Sequence, residues 1–189
     1  MTELENYIHS YFKVRPEELN VISSLFKLTT LERGSYFLKP GQISDKLSFH
    51  KSGFMRVYQH KEEKEITLWI SYEGFFITDL RGIHFNQPTP YFMQALTDCE
   101  FYTITRKDYR SLANKLPRWH EIEKLFIASY FTVLEERIFN LLSMPAEERF
   151  LYLLEQHPLL FNMVPLQYLA SMMGMTPETL SRLRKKVAD

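Results

Sequence analysis

The pattern of hydrophobic and polar positions changes period near residue 105. Upstream, apolar and polar residues alternate over short runs. Leu47 to Tyr58 is one, and Ile66 to Tyr72, rich in β-branched and aromatic residues, is another. A period of two places successive side chains on opposite faces of a strand, and these residue types suit a half-buried pleated surface. Between the runs lies HKEEKE, His60 to Glu65, a charged stretch suited to a hairpin tip. A further strand region is expected over Tyr91 to Ile104, after a loop holding Pro88 and Pro90. Five of the six glycines fall between Gly34 and Gly82, where they permit tight turns between short strands. Residues 25–105 are therefore expected to form antiparallel β-structure in a compact roll or barrel.

After Thr105 the steps become three and four. Thr105 and the KDYR at Lys107 open a short helix that must close before Pro117. From Arg118 to about Leu142 runs a long helix without proline or glycine. Its apolar positions, from Trp119 and Leu125 to Leu134, Ile138 and Leu142, cover a band wider than one buried face needs. Such a helix is either deeply buried in one monomer or paired with its counterpart in a dimer. Ala128 and Ser129 allow close approach. The expected dimer residues are Ile122, Phe126, Ser129, Tyr130 and Val133. Pro145 then opens AEERFLYLLEQ, with Phe150, Leu153 and Leu154 facing inward, and Leu159 to Val164 is a short apolar segment.

Two helices close the chain. Pro165 suits a first helical position, Leu166, Leu169, Ala170 and Met173 mark one apolar face, and Gly174 suits the left-handed residue after a helix end. Thr176 is a plausible N-cap and Pro177 a first-turn residue of a second helix, 177–187. There Leu180, Leu183 and Val187 share one face, while Glu178, Ser181, Arg182 and Lys185 share another. A small residue at the crossing, glycine four residues later and leucine six after that is the spacing of a helix-turn-helix. In that motif the second helix enters the major groove. Arg182 then donates to guanine, Glu178 accepts from cytosine, and Thr176, Thr179 and Ser181 offer hydroxyls. Lys185 and Lys186 neutralise phosphates.

Composition narrows the classes. Basic and acidic residues balance at 23 each, so any attraction to nucleic acid must come from a local cluster. A single cysteine, Cys99, excludes an internal disulfide and a self-contained cysteine-ligated cluster. The polar start MTELENYIHS is unlike a signal peptide, and no apolar run approaches the roughly 18 residues of a membrane span. No membrane partner is expected, and the expected address is cytoplasmic. GxSxG, HExxH, CxxC and phosphate-binding glycine loops are absent. Asp98 and Glu100 fall on one side of a strand, the spacing of an ordinary solvated edge. No enzyme activity, metal or cofactor is expected.

With these features the chain resembles the Crp/Fnr superfamily of transcription regulators, related to the cyclic-AMP receptor protein and nearest to its Bacteroidetes-type members. ERGSYFLKPGQ and SGFMRVY in the roll, the long helix, RFLYLLEQHP and MTPETLSRLRKK carry the resemblance. It implies an α+β chain with a cyclic-nucleotide-binding-domain-like antiparallel β-roll and flanking helices (1–116), a dimerisation helix (117–143) and a C-terminal helix-turn-helix (144–189). It also implies a homodimer reading an inverted-repeat operator through Glu178 and Arg182, with double-stranded DNA as partner and RNA polymerase as a candidate one. Pro177 stands where the best-known members carry a further arginine, so the operator is expected to differ. The chain ends soon after this helix, so a β wing is expected to be short or absent. The family's effector pocket maps onto Gly74, Phe75 and Phe76, with Thr89 and Pro90 at the phosphate position. Phenylalanine cannot accept from a ribose hydroxyl, and no arginine stands at the phosphate position, so cyclic AMP is not the expected effector and its identity is open. The alternative is a ligand-sensing or protein-interaction module with a similar roll and no specific DNA binding.

Overall fold

The structure, a computed structural model, describes residues 1–188. Two helices precede the roll, α1 (Glu3–Phe12) and α2 (Pro16–Ser23). The Thr2 hydroxyl and the Glu5 carboxylate cap the start of α1 reciprocally. Eight strands follow: β1 (Lys27–Leu31), β2 (Tyr36–Leu38), β3 (Lys46–Ser52), β4 (Met55–Lys61), β5 (Lys64–Ser71), β6 (Phe76–Ile77), β7 (Phe92–Ala95) and β8 (Cys99–Thr105). They form two four-stranded antiparallel sheets, ordered β1-β8-β3-β6 and β2-β7-β4-β5. Only β4 and β5 are neighbours in both sequence and sheet; every other pair joins strands apart in sequence, which makes the sheets a roll and not a meander.

The run Leu47 to Tyr58 splits at Gly53, whose φ of 90° only glycine adopts cheaply. A Cβ there would also run into the Asp98 carbonyl oxygen. In β3 the burial departs from alternation: Leu47, Ser48, Phe49 and His50 are all buried. Both faces of this strand are covered. Leu47 and Phe49 join Ile8, Phe12, Phe76, Ile104, Trp119 and Phe126 in a core between sheet and helices. His50 packs on Phe101 from the other side, with its Nδ1 3.0 Å from the Ser71 hydroxyl. Phe101 belongs to a second core between the sheets, with Phe37, Met55, Val57 and Met93.

Beyond the roll come α3 (Arg106–Lys115), capped by Thr105, then α4 (Trp119–Ser143), α5 (Ala146–Gln156), the single turn α6 (Leu160–Met163), α7 (Leu166–Met172) and α8 (Pro177–Ala188). Phe150, Leu160, Phe161, Leu169, Ala170 and Leu180 make a third core. Ile70 of β5 is buried within it, so the roll supplies part of the C-terminal core.

The long helix divides lengthwise. In its first half Trp119, Ile122 and Phe126 are buried against the roll and α1. This corrects the expectation for Ile122 and Phe126: they are 1% and 2% exposed within one chain and have no surface for a partner. Tyr130 is half-buried and donates to the Phe76 carbonyl at 3.0 Å, Ser129 bonds back to Phe126, and Val133 is exposed. In the second half Phe131, Leu134, Ile138 and Leu142 are exposed, at 60, 44, 57 and 83%. Steps of three and four put these four on one stripe.

Candidate nucleic-acid interface

The last two helices meet where the small side chain of Ala170 leaves room. Ala170 and Leu180 are both fully buried. The Met173 amide donates to Leu169 and that of Met175 to Ala170, closing the first helix end, while Gly174 takes the left-handed conformation at φ 67°. Thr176 then caps α8, its hydroxyl accepting from the Thr179 amide at 3.2 Å. The helix-turn-helix spacing read from the residues is thus realised as two packed helices with a short turn.

Capping aims the rest. With Leu180 buried and Leu183 half-buried, Thr176, Glu178, Arg182, Arg184, Lys185 and Lys186 face solvent, and Thr179 and Ser181 are half-buried. Glu178 has its pKa lowered by its own backbone N–H and by the Thr176 hydroxyl, so it remains an acceptor. Arg182 reaches only the Thr179 hydroxyl, at 3.5 Å. Among the described residues neither Glu178 nor Arg182 enters an ion pair. Lys186 differs: its Nζ lies 2.7 Å from Glu147 of α5. Its charge is already matched, and Arg184 offers an exposed cation that the sequence reading left out of the site.

What positions this pair is its dock on the roll, which pattern reasoning missed. The Arg56 guanidinium of β4 lies between the rings of Tyr58 and Tyr168, 4.1 and 3.7 Å from their centroids, and pairs with Glu65. The Thr67 amide of β5 donates to the Ser171 hydroxyl of α7 at 2.9 Å. The available signal was Arg56 itself, an arginine at a position flanked by inward Met55 and Val57. Which partners it meets depends on residues 100 positions away.

The expected effector residues each engage different partners. Phe76 is buried in the core between sheet and helices, and the Gly74 carbonyl accepts from Tyr11 at 2.7 Å. Phe75 instead packs edge-on to Trp69 and Tyr72. Thr89 is buried in a turn, its N–H and carbonyl bonded to Gln42 and Gly41. The loop that ends at Thr89 and Pro90 starts at Thr78, runs through a π-helical turn (Arg81–Phe85), and packs Gly82 on Ser44. Its acid is Asp79, buried, with Oδ1 accepting from the Arg81 amide and Oδ2 unpartnered. The carboxylate in this loop therefore stands a few residues beyond Phe75 and Phe76, the expected place. Arg81 lies over the Tyr91 ring, 5.4 Å from its centroid.

The two acids noted on the strand are both engaged. Asp98 accepts from the Arg33 amide, and Glu100 pairs with Lys51 at 3.0 Å and accepts from Ser52. Buried Cys99 has its thiol pKa raised to about 11 by desolvation. Among the described residues no cluster of three metal-ligating side chains occurs, and no helix is long and apolar enough to cross a membrane.

Roll, long helix and paired C-terminal helices define a fold class, a cyclic-nucleotide-binding-like roll joined by a long helix to a C-terminal helix pair. Residues 28–115 match the family model of the cyclic nucleotide-binding domain. The whole architecture recurs in solved structures. FixK2 from Bradyrhizobium japonicum superposes with a TM-score of 0.72 at 14% identity, covering 86% of this chain and 84% of that one. The c-di-GMP responsive global regulator CLP of Xanthomonas campestris gives 0.67 at 15%, covering 92% of each. The catabolite activator protein of Thermus thermophilus gives 0.57 at 21%, covering 96% of this chain and 86% of that one. The resemblance to Crp/Fnr regulators therefore holds for the fold. No curated protein matches the chain.

Proposed function

We propose that the chain is a homodimeric, sequence-specific DNA-binding transcription regulator whose α8 reads the major groove. One observation carries this: α8 is capped and packed so that Glu178 and Arg182, one turn apart, face solvent and have no ion-pair partner among the described residues. A guanidinium and a carboxylate so placed match guanine and cytosine edges, and Lys185 and Arg184 beside them suit phosphate. The exposed stripe Phe131, Leu134, Ile138 and Leu142 supports a dimer through α4. Two copies of α8 would then read half-sites about 34 Å apart. The roll would set the spacing and tilt of the pair through α4 and the Arg56–Tyr168 dock. Cyclic AMP is not its effector on this reading, because no guanidinium stands at Thr89–Pro90 to meet a cyclic phosphate.

Selection of bound sequences from randomised duplex DNA, at two salt concentrations, tests the proposal. The wild type is expected to enrich an inverted repeat. Arg182→Ala should lose about 1–3 kcal/mol and relax one base position in each half-site. Lys185→Ala should weaken all sequences alike and reduce the salt slope by about one. Binding that ignores Arg182→Ala and vanishes with salt would reduce the interface to phosphate attraction and favour a ligand-sensing or protein-interaction module.

A further inference from the structure

A cavity of about 280 Å³ opens where β5, α4, α5 and α7 meet. Trp69, Tyr72 and Phe75 wall it from the roll, Arg137 from α4, Leu153 from α5 and Met172 from α7. A volume near the lower end of the ligand-pocket range suits a small molecule. The cavity does not lie under the exposed stripe of α4. At about 3.6 residues per turn, Val133, Arg137 and Asn140 project away from Phe131, Ile138 and Leu142, while Leu141 of the cavity wall lies beside Leu134 at the edge of the stripe.

Its polar groups are unbalanced. Arg137 lies over the Trp69 ring, 4.8 Å from the centroid, and makes one long hydrogen bond, to the Met172 carbonyl at 3.4 Å. Among the described residues it has no ion-pair partner. Burial lowers its pKa to about 10, the mark of a cation held away from water without compensation. The other guanidinium, Arg149, is occupied with the carbonyls of Leu141, Met144 and Met173. The acid in the wall, Glu136, accepts from the Tyr152 hydroxyl at 3.2 Å. The Trp69 indole N–H is buried with no acceptor. Asn140 and His157 also line the cavity, yet among the described residues neither they nor Glu136 accepts from Arg137 or the Trp69 indole, so two donor residues border an aromatic hollow with their capacity largely unused.

We propose that this cavity binds a small organic monocarboxylate with an aromatic or branched apolar body, its carboxylate paired with Arg137. Planar guanidinium forks match carboxylates through two parallel bonds, and the desolvated setting strengthens them. The apolar body packs among Trp69, Tyr72, Phe75 and Leu153. Such an occupant touches the roll, the long helix and the C-terminal helices together, so it biases how the last two helices sit on the roll. That regulatory consequence rests on the function proposed above; the binding site does not.

Isothermal titration of the full chain with phenylacetate and 4-methylpentanoate, each against its neutral amide, tests the assignment. Tryptophan emission, compared with Trp119→Phe to isolate Trp69, is read in the same samples. Saturable binding of a carboxylate is expected, weaker by about tenfold or more for the matched amide and in Arg137→Met. The amide comparison uses the wild type, so it stands even if Arg137→Met fails to fold. No saturable binding by either acid up to about 10 mM, or equal binding of acid and amide, would overturn the site. Binding that leaves affinity for a selected DNA site unchanged would overturn the coupling alone, since the titration needs no DNA.

Discussion

His50 is held neutral at the centre of the roll: burial lowers its pKa from 6.5 to about 4. A base whose folded pKa lies below its unfolded value binds its proton more readily when unfolded. Its contribution is therefore complete above about pH 6.5 and is lost as pH falls toward 4, amounting to about 3 kcal/mol in all. Burial shifts His157 in the same direction. The thermal midpoint should fall across this window, and His50→Gln should flatten much of the descent. Glu18, Glu100, Glu121 and Glu178, all held low, begin to lose their contribution only as pH falls through the ordinary carboxylate value, so they enter at the acid end of this window and leave its upper part to the histidines. Glycines at two turns separate space from backbone conformation. A methyl group at Gly174 would make only ordinary contact with Leu141, at 3.7 Å, so the positive φ alone penalises it and Gly174→Ala should cost about 1 kcal/mol in urea unfolding. Gly53 has the same handicap plus the Asp98 backbone in the way, so Gly53→Ala should cost several-fold more.

At the scale of elements, α4 decides between two uses of the same residue types. Phe126 is buried against Phe12 and Phe76, whereas Phe131 is exposed one and a half turns on. Phe126→Ala should cost about 3–5 kcal/mol of stability without changing the assembly state of the folded protein. Ile138→Glu should leave stability nearly intact and shift sedimentation toward the monomer, because it puts a charge in the middle of the proposed interface. The helix, its limits within a residue or two, and its surplus of apolar positions were all legible from spacing. Assignment of each apolar face was not, since a band covering most of the circumference carries no phase. The strands show the same division. Alternation found the segments, but β3 is covered on both sides, so its pattern did not say which face met helices.

For the whole molecule the dock between roll and C-terminal helices is the feature with most leverage. Arg56 between Tyr58 and Tyr168, with Thr67 bonded to Ser171, joins residues more than 100 positions apart. Tyr168→Ala removes one face of a desolvated cation–π sandwich, an interaction of about 2 kcal/mol. Amide exchange should accelerate at Thr67 and along α7, while the α1–α4 side of the roll stays protected. Uniformly faster exchange would mean that the variant weakens the fold as a whole instead of the dock.

By itself the sequence determined what depends on neighbours within a few turns: the change of period at residue 105, the capped helices around Gly174, and the outward face carrying Glu178 and Arg182. Caps, turns and amphipathic faces are short-range physics, so one strand of text contains them. Tertiary structure decided where those faces went. It buried Ile122 and Phe126 inside one chain, gave Gly74 and Thr89 different partners, matched Lys186 to Glu147, and left Arg137 facing an aromatic hollow. These outcomes depend on which distant side chain arrives opposite, and periodicity holds no record of that.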